Sequence, residues 1–186
     1  MNIIMTGSTS FVGAATVREL LRRGHTVTAI VRPDSSKLDT ILEGNEEALL
    51  TGHLLVTEND LSEPEKLLEK VTKPQDVFCH FGWGGSGSAS RTDKALQEKN
   101  MEISLETIRT AKALGCKKFL FSGSQAEYGM HQDLITEDTV CEPKSCMERR
   151  SLPCGKREKN SAMNWDCGTF TPGSSAPTVP VTTRGR

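Results

Sequence analysis

The chain has 186 residues, of which 35% are hydrophobic and 25% charged, with a formal net charge of −1. That length can bury a real core, so the composition reads as one soluble globular domain or part of one. The near-neutral balance excludes the broadly basic surface that nucleic acid or an anionic membrane selects, and no apolar run approaches the length of a membrane span. Met1 runs straight into a short apolar strand and a glycine loop, so no signal peptide is expected. Six cysteines, at 79, 116, 141, 146, 154 and 167, are unevenly spaced and form no CxxC pair. That usage predicts a reducing, cytoplasmic setting rather than a disulfide framework, and no metal site is expected.

In chain order, Asn2–Met5 is a short β-prone run. Ala14–Arg23 has Val17, Leu20 and Leu21 at helical spacing, with Gly24 as its stop. Thr26–Val31 is β-branched nearly throughout and reads as a second strand; Leu54–Thr57 reads as a third, followed by a helix near Glu63–Lys70. Asp76–Phe81 is a fourth strand. Arg91–Leu114 is helical, with Gly115 as its stop, and Lys118–Ser122 is a fifth strand. Strands alternating with helices predict right-handed crossovers and a doubly wound parallel sheet of Rossmann type, an α/β fold. The pattern sustains a domain over residues 1–145. Over 146–186 neither period persists, the stretch is rich in Pro, Ser, Thr and Gly, and an irregular, poorly packed tail is expected.

The first loop carries the strongest chemical signal. TGSTSFVG, residues 6–13, joins the first strand to the first helix. A glycine turn there lets the backbone approach a pyrophosphate, whose charge is stabilised by the helix N-terminus and its free amides. Gly7 and Gly13 keep the outer glycine positions, Ser10 stands at the middle one and keeps its N–H donor, and Phe11 and Val12 complete the candidate cofactor-binding loop. A glycine loop alone is weak, and the other reading is an incidental turn; the strand–loop–helix context favours a dinucleotide. The second strand runs into Arg32. An acid there would bind the adenosine ribose of NAD, whereas an arginine can pair with a 2′-phosphate, which favours NADP; the plainer reading is a solvated strand-end side chain.

TGSTSFVG, RGHTVTAIVRP, the Asp60-Leu61 pair, HFGW at 80–83 and FSGSQAEYG at 121–129 together resemble an extended short-chain dehydrogenase/reductase, and more narrowly the NAD-dependent epimerase/dehydratase family. The resemblance covers residues 1 to about 145, with the motifs in the family's order. It implies that Asp60, with Leu61 beside it, meets the adenine amino group, and that Phe81 and Gly82 pass close to the cofactor. Gly82 stands where the family usually has alanine. It implies that Ser124, four residues before Tyr128, is the catalytic serine that hydrogen-bonds the substrate oxygen; read by itself, Ser124 is a turn or cap residue. Asn100 resembles the family's asparagine of the long helix, with a structural role. Cys79 and Cys116 read as small core residues and His80 as a packed, hydrogen-bonded histidine. The implied activity is NAD(P)-dependent epimerase, dehydratase or reductase chemistry on a nucleotide-sugar or related hydroxyl/keto compound, often by homodimers. No nucleic-acid or membrane partner is implied.

The family's chemistry uses a Tyr-x-x-x-Lys pair, tyrosine as acid/base and lysine stabilising its phenolate. The only tyrosine here is Tyr128, and four residues on stands Gln132. The pair should fall just where the regular pattern breaks, which points to a shift of reading frame. Joining the last base of each codon to the first two of the next, Met163 through Gly168 force Glu-Leu-Gly-Leu and then Arg or Trp. In the same frame, residues from Cys146 to Ser151 permit Tyr-Gly-Lys-x-Lys, and Pro177 to Val181 permit Tyr-Gly-Pro-Gly. The expectation is a truncated, inactive member of the lineage whose tail is out of frame. The alternative is a non-catalytic NAD(P)-binding sensor or scaffold module.

Overall fold

The computed structural model describes residues 1–85, 90, 93–123, 128, 134 and 136, and the backbone of 166–170. A single parallel sheet organises them. Its strands are β1 (Asn2–Thr6), β2 (Thr26–Val31), β3 (Leu54–Glu58), β4 (Val77–His80), β5 (Lys118–Ser122) and β6 (Asp166–Phe170), in the order β3-β2-β1-β4-β5-β6. Every neighbouring pair is parallel, with Ile3 opposite Val27 and Val77, and Phe78 opposite Phe119. The helices are α1 (Phe11–Arg22), α2 (Asp39–Leu42), α3 (Glu46–Leu50), α4 (Leu67–Lys70), preceded by a 3-10 turn Pro64–Lys66, and the long α5 (Lys94–Ala113).

Strand pleating explains the core. Alternate residues point to opposite faces, and a sheet covered on both sides needs apolar residues at successive positions. On one face Ile4, Ile30, Phe78, Phe119 and Phe121 pack with Leu67 and Ile108. On the other, Ile3, Met5, Val27, Ala29 and Cys79 pack with Val17 of α1 and Ile41 of α2. Phe78 and Phe119 stack across the β4–β5 pair with ring centroids 5.5 Å apart.

Local signals set the helix ends. Ser10 caps α1, its hydroxyl accepting from the Gly13 amide at 3.0 Å, and Asp93 caps α5 by accepting from the Leu96 amide at 3.1 Å. A side-chain oxygen at this position satisfies a first-turn N–H that the helix itself cannot.

The expected doubly wound sheet is the observed one, and five of its strands lie where the residue pattern puts them. The reading of 146–186 as lacking any regular element needs correction at one place, because Asp166–Phe170 form β6 against β5, with Lys118 opposite Asp166 and Ser122 opposite Phe170. An uncovered strand presents a row of unpaired N–H and C=O groups that any short extended run can complete. A five-residue run interrupted by Gly168 is too short to show a strand period in the sequence.

Candidate functional site

In this strand order the chain crosses from β3 at one edge, past β1, to β4 on the far side. The crossovers on either side of β1 therefore leave a crevice at the carboxyl ends of β1 and β4, the usual ligand position in an open α/β sheet. A cleft of about 410 Å³ lies there, within the range of small-ligand sites.

The loop after β1 forms its floor. Gly7 has φ +69, and a Cβ built on it would lie 2.6 Å from the Phe81 carbonyl carbon and 2.8 Å from the Gly82 amide nitrogen. A Cβ on Gly13 would fall on the Gly7 carbonyl oxygen. Both glycines thus let three backbone segments approach where no side chain fits. Ser10 N donates to Gly7 O at 3.0 Å, and Gly13 N to Ser10 Oγ. This leaves the amides of Phe11 and Val12 without a partner among the described residues, as the first turn of a helix must. Ser8 is fully buried, and its hydroxyl donates to Ile30 O at 2.9 Å, tying the loop to the end of β2. A loop of this shape, with open amides and no Cβ in the way, fits a diphosphate.

Gly7 and Ser10 line the cleft, as do Arg32, Asp60 and Leu61 and, on the β4 side, Phe81 and Gly82. Gly13 is buried behind the loop, while the Phe11 side chain points to solvent, 93% exposed. Phe11 and Val12 therefore offer the site their backbone rather than their side chains. A Cβ on Gly82 would meet only flexible side-chain ends, with Leu61 Cδ1 at 2.8 Å and Thr6 Oγ1 at 3.3 Å, so the family's alanine could be accommodated there by a small shift of Leu61. Ser124 lies outside the described residues.

The Asp60 carboxylate accepts from the Ser62 amide at 2.8 Å and the Ser62 hydroxyl at 2.6 Å, and these bonds hold its pKa below the ordinary range. The wall beneath Asp60 is built by a residue that pattern reading missed. Asn59 is buried, and its Nδ2 donates to Asp60 O at 2.8 Å and Glu63 O at 2.9 Å. The signal was available, since an asparagine directly after a strand end is suited to close a turn.

A buried polar file runs behind the opposite wall. Ser104 Oγ donates to Asn100 O at 2.9 Å, so its lone pair accepts from His80 Nε2–H at 3.2 Å. That leaves His80 Nδ1 to accept from Thr6 Oγ1–H at 2.9 Å, and Thr6 Oγ1 in turn accepts from the Gly82 amide at 3.3 Å. Burial pushes the His80 pKa down to about 4, so the ring is neutral near pH 7, as this donor–acceptor order requires. Asn100, also buried, clamps Gly84 through both of its backbone groups, which belong to two successive peptides: its Nδ2 donates to Gly84 O at 2.8 Å, and its Oδ1 accepts from Gly84 N at 3.1 Å. Trp83 Nε1 donates to Gln97 Oε1 at 3.0 Å, fixing the indole at the cleft edge. The structural role expected of Asn100 is the observed one. Among the described residues, no cluster of His, Cys, Asp or Glu could hold a metal ion, and no helix is long and apolar enough to cross a membrane.

A parallel sheet of this order with a glycine loop at its crevice defines a Rossmann-type α/β domain. The chain belongs to the NAD dependent epimerase/dehydratase family, whose model matches residues 3–151. Among curated proteins it is 28% identical over 148 residues to D-erythronate dehydrogenase of Cupriavidus necator, covering 78% of this chain and 45% of that protein. It is 33% identical over 147 residues to a UDP-glucose 4-epimerase of Caenorhabditis elegans, covering 74% of this chain and 42% of that protein. Among solved structures, UDP-glucose 4-epimerase of Stenotrophomonas maltophila, with bound NAD and formylated UDP-arabinopyranose, superposes with a TM-score of 0.74 at 17% identity over 91% of this chain and 52% of that one. The chain thus spans about half the length of the relatives it matches.

Proposed function

We propose that this chain is the nicotinamide-nucleotide-binding half of an epimerase, dehydratase or reductase acting on a nucleotide-sugar or similar hydroxyl/keto compound. The observation that carries this reading is the Gly7–Gly13 cradle, where backbone from the loop, β4 and α1 converges and leaves two helix-start amides open. The Gly7 loop would hold the diphosphate, Asp60 and Leu61 would border the adenine, and Phe81 and Gly82 would flank the nicotinamide half. Arg32, where an acid would suit the ribose of NAD, favours NADP. When bound, the nucleotide takes a hydride from a substrate carbon or returns one. Ser124 would hydrogen-bond the substrate oxygen. The names of the relatives, which include a sugar-nucleotide epimerase and a hydroxy-acid dehydrogenase, support that breadth of substrate.

The 186-residue chain is expected to bind nucleotide without turning substrate over, because Gln132 stands four residues after its only tyrosine. We attribute this to a shifted reading frame beyond about residue 146; the family match ends at residue 151, close to that break. The same missing pair is what favours the second reading, a non-catalytic NAD(P)-binding module. Calorimetric titration with NADP⁺ and NAD⁺, paired with turnover assays on this chain and on its frame-restored form, tests both. Saturable binding without turnover here, and turnover after restoration, is expected. Failure of both nucleotides to bind removes the nucleotide reading; turnover by the chain as it stands removes the inactivity; an inert restored form favours the module. Sequencing the gene tests the frame directly: an uninterrupted frame with no hidden continuation contradicts the shift.

A further inference from the structure

We propose that Trp83 is a specificity-determining residue of the cleft: its indole, set in place by Gln97, is an aromatic wall against which the nicotinamide ring of the bound nucleotide packs. The inference rests on the nucleotide reading above and adds two side chains to which neither motif order nor the family resemblance gives a role.

The backbone around Trp83 has little freedom. Gly84 and Gly85 let the chain turn tightly against α5: a Cβ on Gly84 would lie 2.9 Å from Asn100 Oδ1, and one on Gly85, which has φ +70, would fall on Leu96 Cδ2. Asn100 holds both backbone groups of Gly84, and Trp83, the residue before it, is brought to the cleft lining beside Gly82. The half-buried indole is then held on two sides. Its Nε1–H donates to Gln97 Oε1 at 3.0 Å. Gln97 is fully buried and is itself fixed, with Nε2 donating to Ser90 O at 3.0 Å. The ring also meets Phe121 at 74°, centroids 5.9 Å apart, and Phe121 is buried near the end of β5. The indole therefore links the carboxyl ends of β4 and β5.

The chemistry of the cleft differs between its two ends. Its charged side chains, Arg32, Lys37 and Asp60, follow β2 and β3, on one side of β1. On the other side, the cleft residues that follow β4, from Phe81 to Gly85, are two aromatics and three glycines. The polar atom of the indole is engaged with Gln97, so Trp83 presents ring surface to a ligand and no donor. That end suits a flat ring rather than a phosphate or a free sugar hydroxyl. A dinucleotide whose diphosphate lies on the Gly7 loop has one flat ring for each side. The aromatic end beyond Gly82 is then left to the nicotinamide. Ring pairs gain free energy beyond the area they bury. An indole already fixed by a hydrogen bond also loses little freedom when a ring packs on it.

The test is isothermal titration of the full 186-residue chain with two ligand pairs that share every group but the nicotinamide ring. These are NADP⁺ against 2′-phospho-ADP-ribose, and NAD⁺ against ADP-ribose. The proteins are wild type, Trp83→Phe, Trp83→Leu, Gln97→Met and the Trp83→Phe/Gln97→Met double variant. Wild type should bind the nicotinamide-bearing member of each pair about fivefold tighter or more. Trp83→Leu should remove most of that difference and leave the two ring-free ligands within about twofold of wild type. Trp83→Phe keeps a ring against Phe121, so circular dichroism should show it folded as wild type, and it should retain part of the difference. Gln97→Met should reduce the difference while the indole is present and change nothing further in the Trp83→Phe background, where no N–H remains to be held. No preference for the nicotinamide-bearing ligands in wild type overturns the Trp83 assignment while the nucleotide site stands. So does a preference that Trp83→Leu and Trp83→Phe leave intact, or a loss equal for all four ligands. A preference undiminished in Gln97→Met overturns the part given to Gln97. Absence of binding by all four ligands overturns the nucleotide reading itself, and this inference with it.

Discussion

Replacing Gly7 by alanine should damage the domain more than the same change at Gly24, and the difference isolates the crowding at the loop. Both residues have similar backbone angles, φ +69 and φ +76. An L-residue in this region costs about 1–2 kcal/mol, and that term is common to the two variants. At Gly24 a Cβ meets nothing within 4 Å; at Gly7 it comes within 2.6–2.8 Å of the Phe81 carbonyl and the Gly82 amide. These neighbours are backbone at the end of β4 and cannot rotate away. Forcing them apart adds about 1–3 kcal/mol, the usual range for overpacking. Gly7→Ala should therefore lose about 2–5 kcal/mol, a large part of the 5–15 kcal/mol typical of a domain, and Gly24→Ala about 1–2 kcal/mol. Urea unfolding followed by circular dichroism measures both. Equal losses for the two variants would refute the packing argument and leave only the backbone angle as the reason for a glycine at position 7.

His80 makes the pH behaviour specific. Its pKa is about 4 in the folded chain against 6.5 when exposed, so the unfolded state binds the proton first as pH falls. Stability should be unaffected by this group above pH 6.5 and decline between 6.5 and about 4, by roughly 3 kcal/mol in all. Comparing the slopes of wild type and His80→Gln checks this, and an imidazole resonance titrating near 6.5 would disprove it. Asn100→Leu should cost about 2–4 kcal/mol by stranding the N–H and the C=O of Gly84. Asn100→Asp should cost at least as much at pH 7, because its buried carboxylate keeps the acceptor for Gly84 N but sets a charged oxygen against Gly84 O; chemical denaturation of the two variants decides. Burial pushes the thiols of Cys79 and Cys116 up to about 12, so neither should react with a thiol reagent at pH 8 until the chain unfolds. Mass-spectrometric mapping of label at either site in the native protein would contradict their placement.

The long periodic elements were legible. β2 and β5 fall on the residues that β-branched and aromatic runs mark, and the Gly24 and Gly115 stops lie just past the ends of α1 and α5. The start of α1 was placed three residues late, because Phe11–Gly13 read as loop while Ser10 already caps the helix. Helices α2 and α3, with four and five residues, are too short to establish a period. At the site, motif order brought out Gly7, Arg32, Asp60 and Gly82, which share the cleft. Lys37 and Asn59 also line it, and they do so through the turns that follow β2 and β3, which carry no motif of their own.

The central claim is that the Gly7–Gly13 backbone receives the diphosphate of a nicotinamide nucleotide. Titrating NADP⁺ into the isotopically labelled chain and following its amide resonances addresses it residue by residue. The account predicts saturable shifts centred on Gly7, Ser10, Phe11, Val12 and Gly13, accompanied by Arg32 and Gly82. Saturation that leaves this loop unmoved, or shifts confined to another face of the sheet, would contradict it.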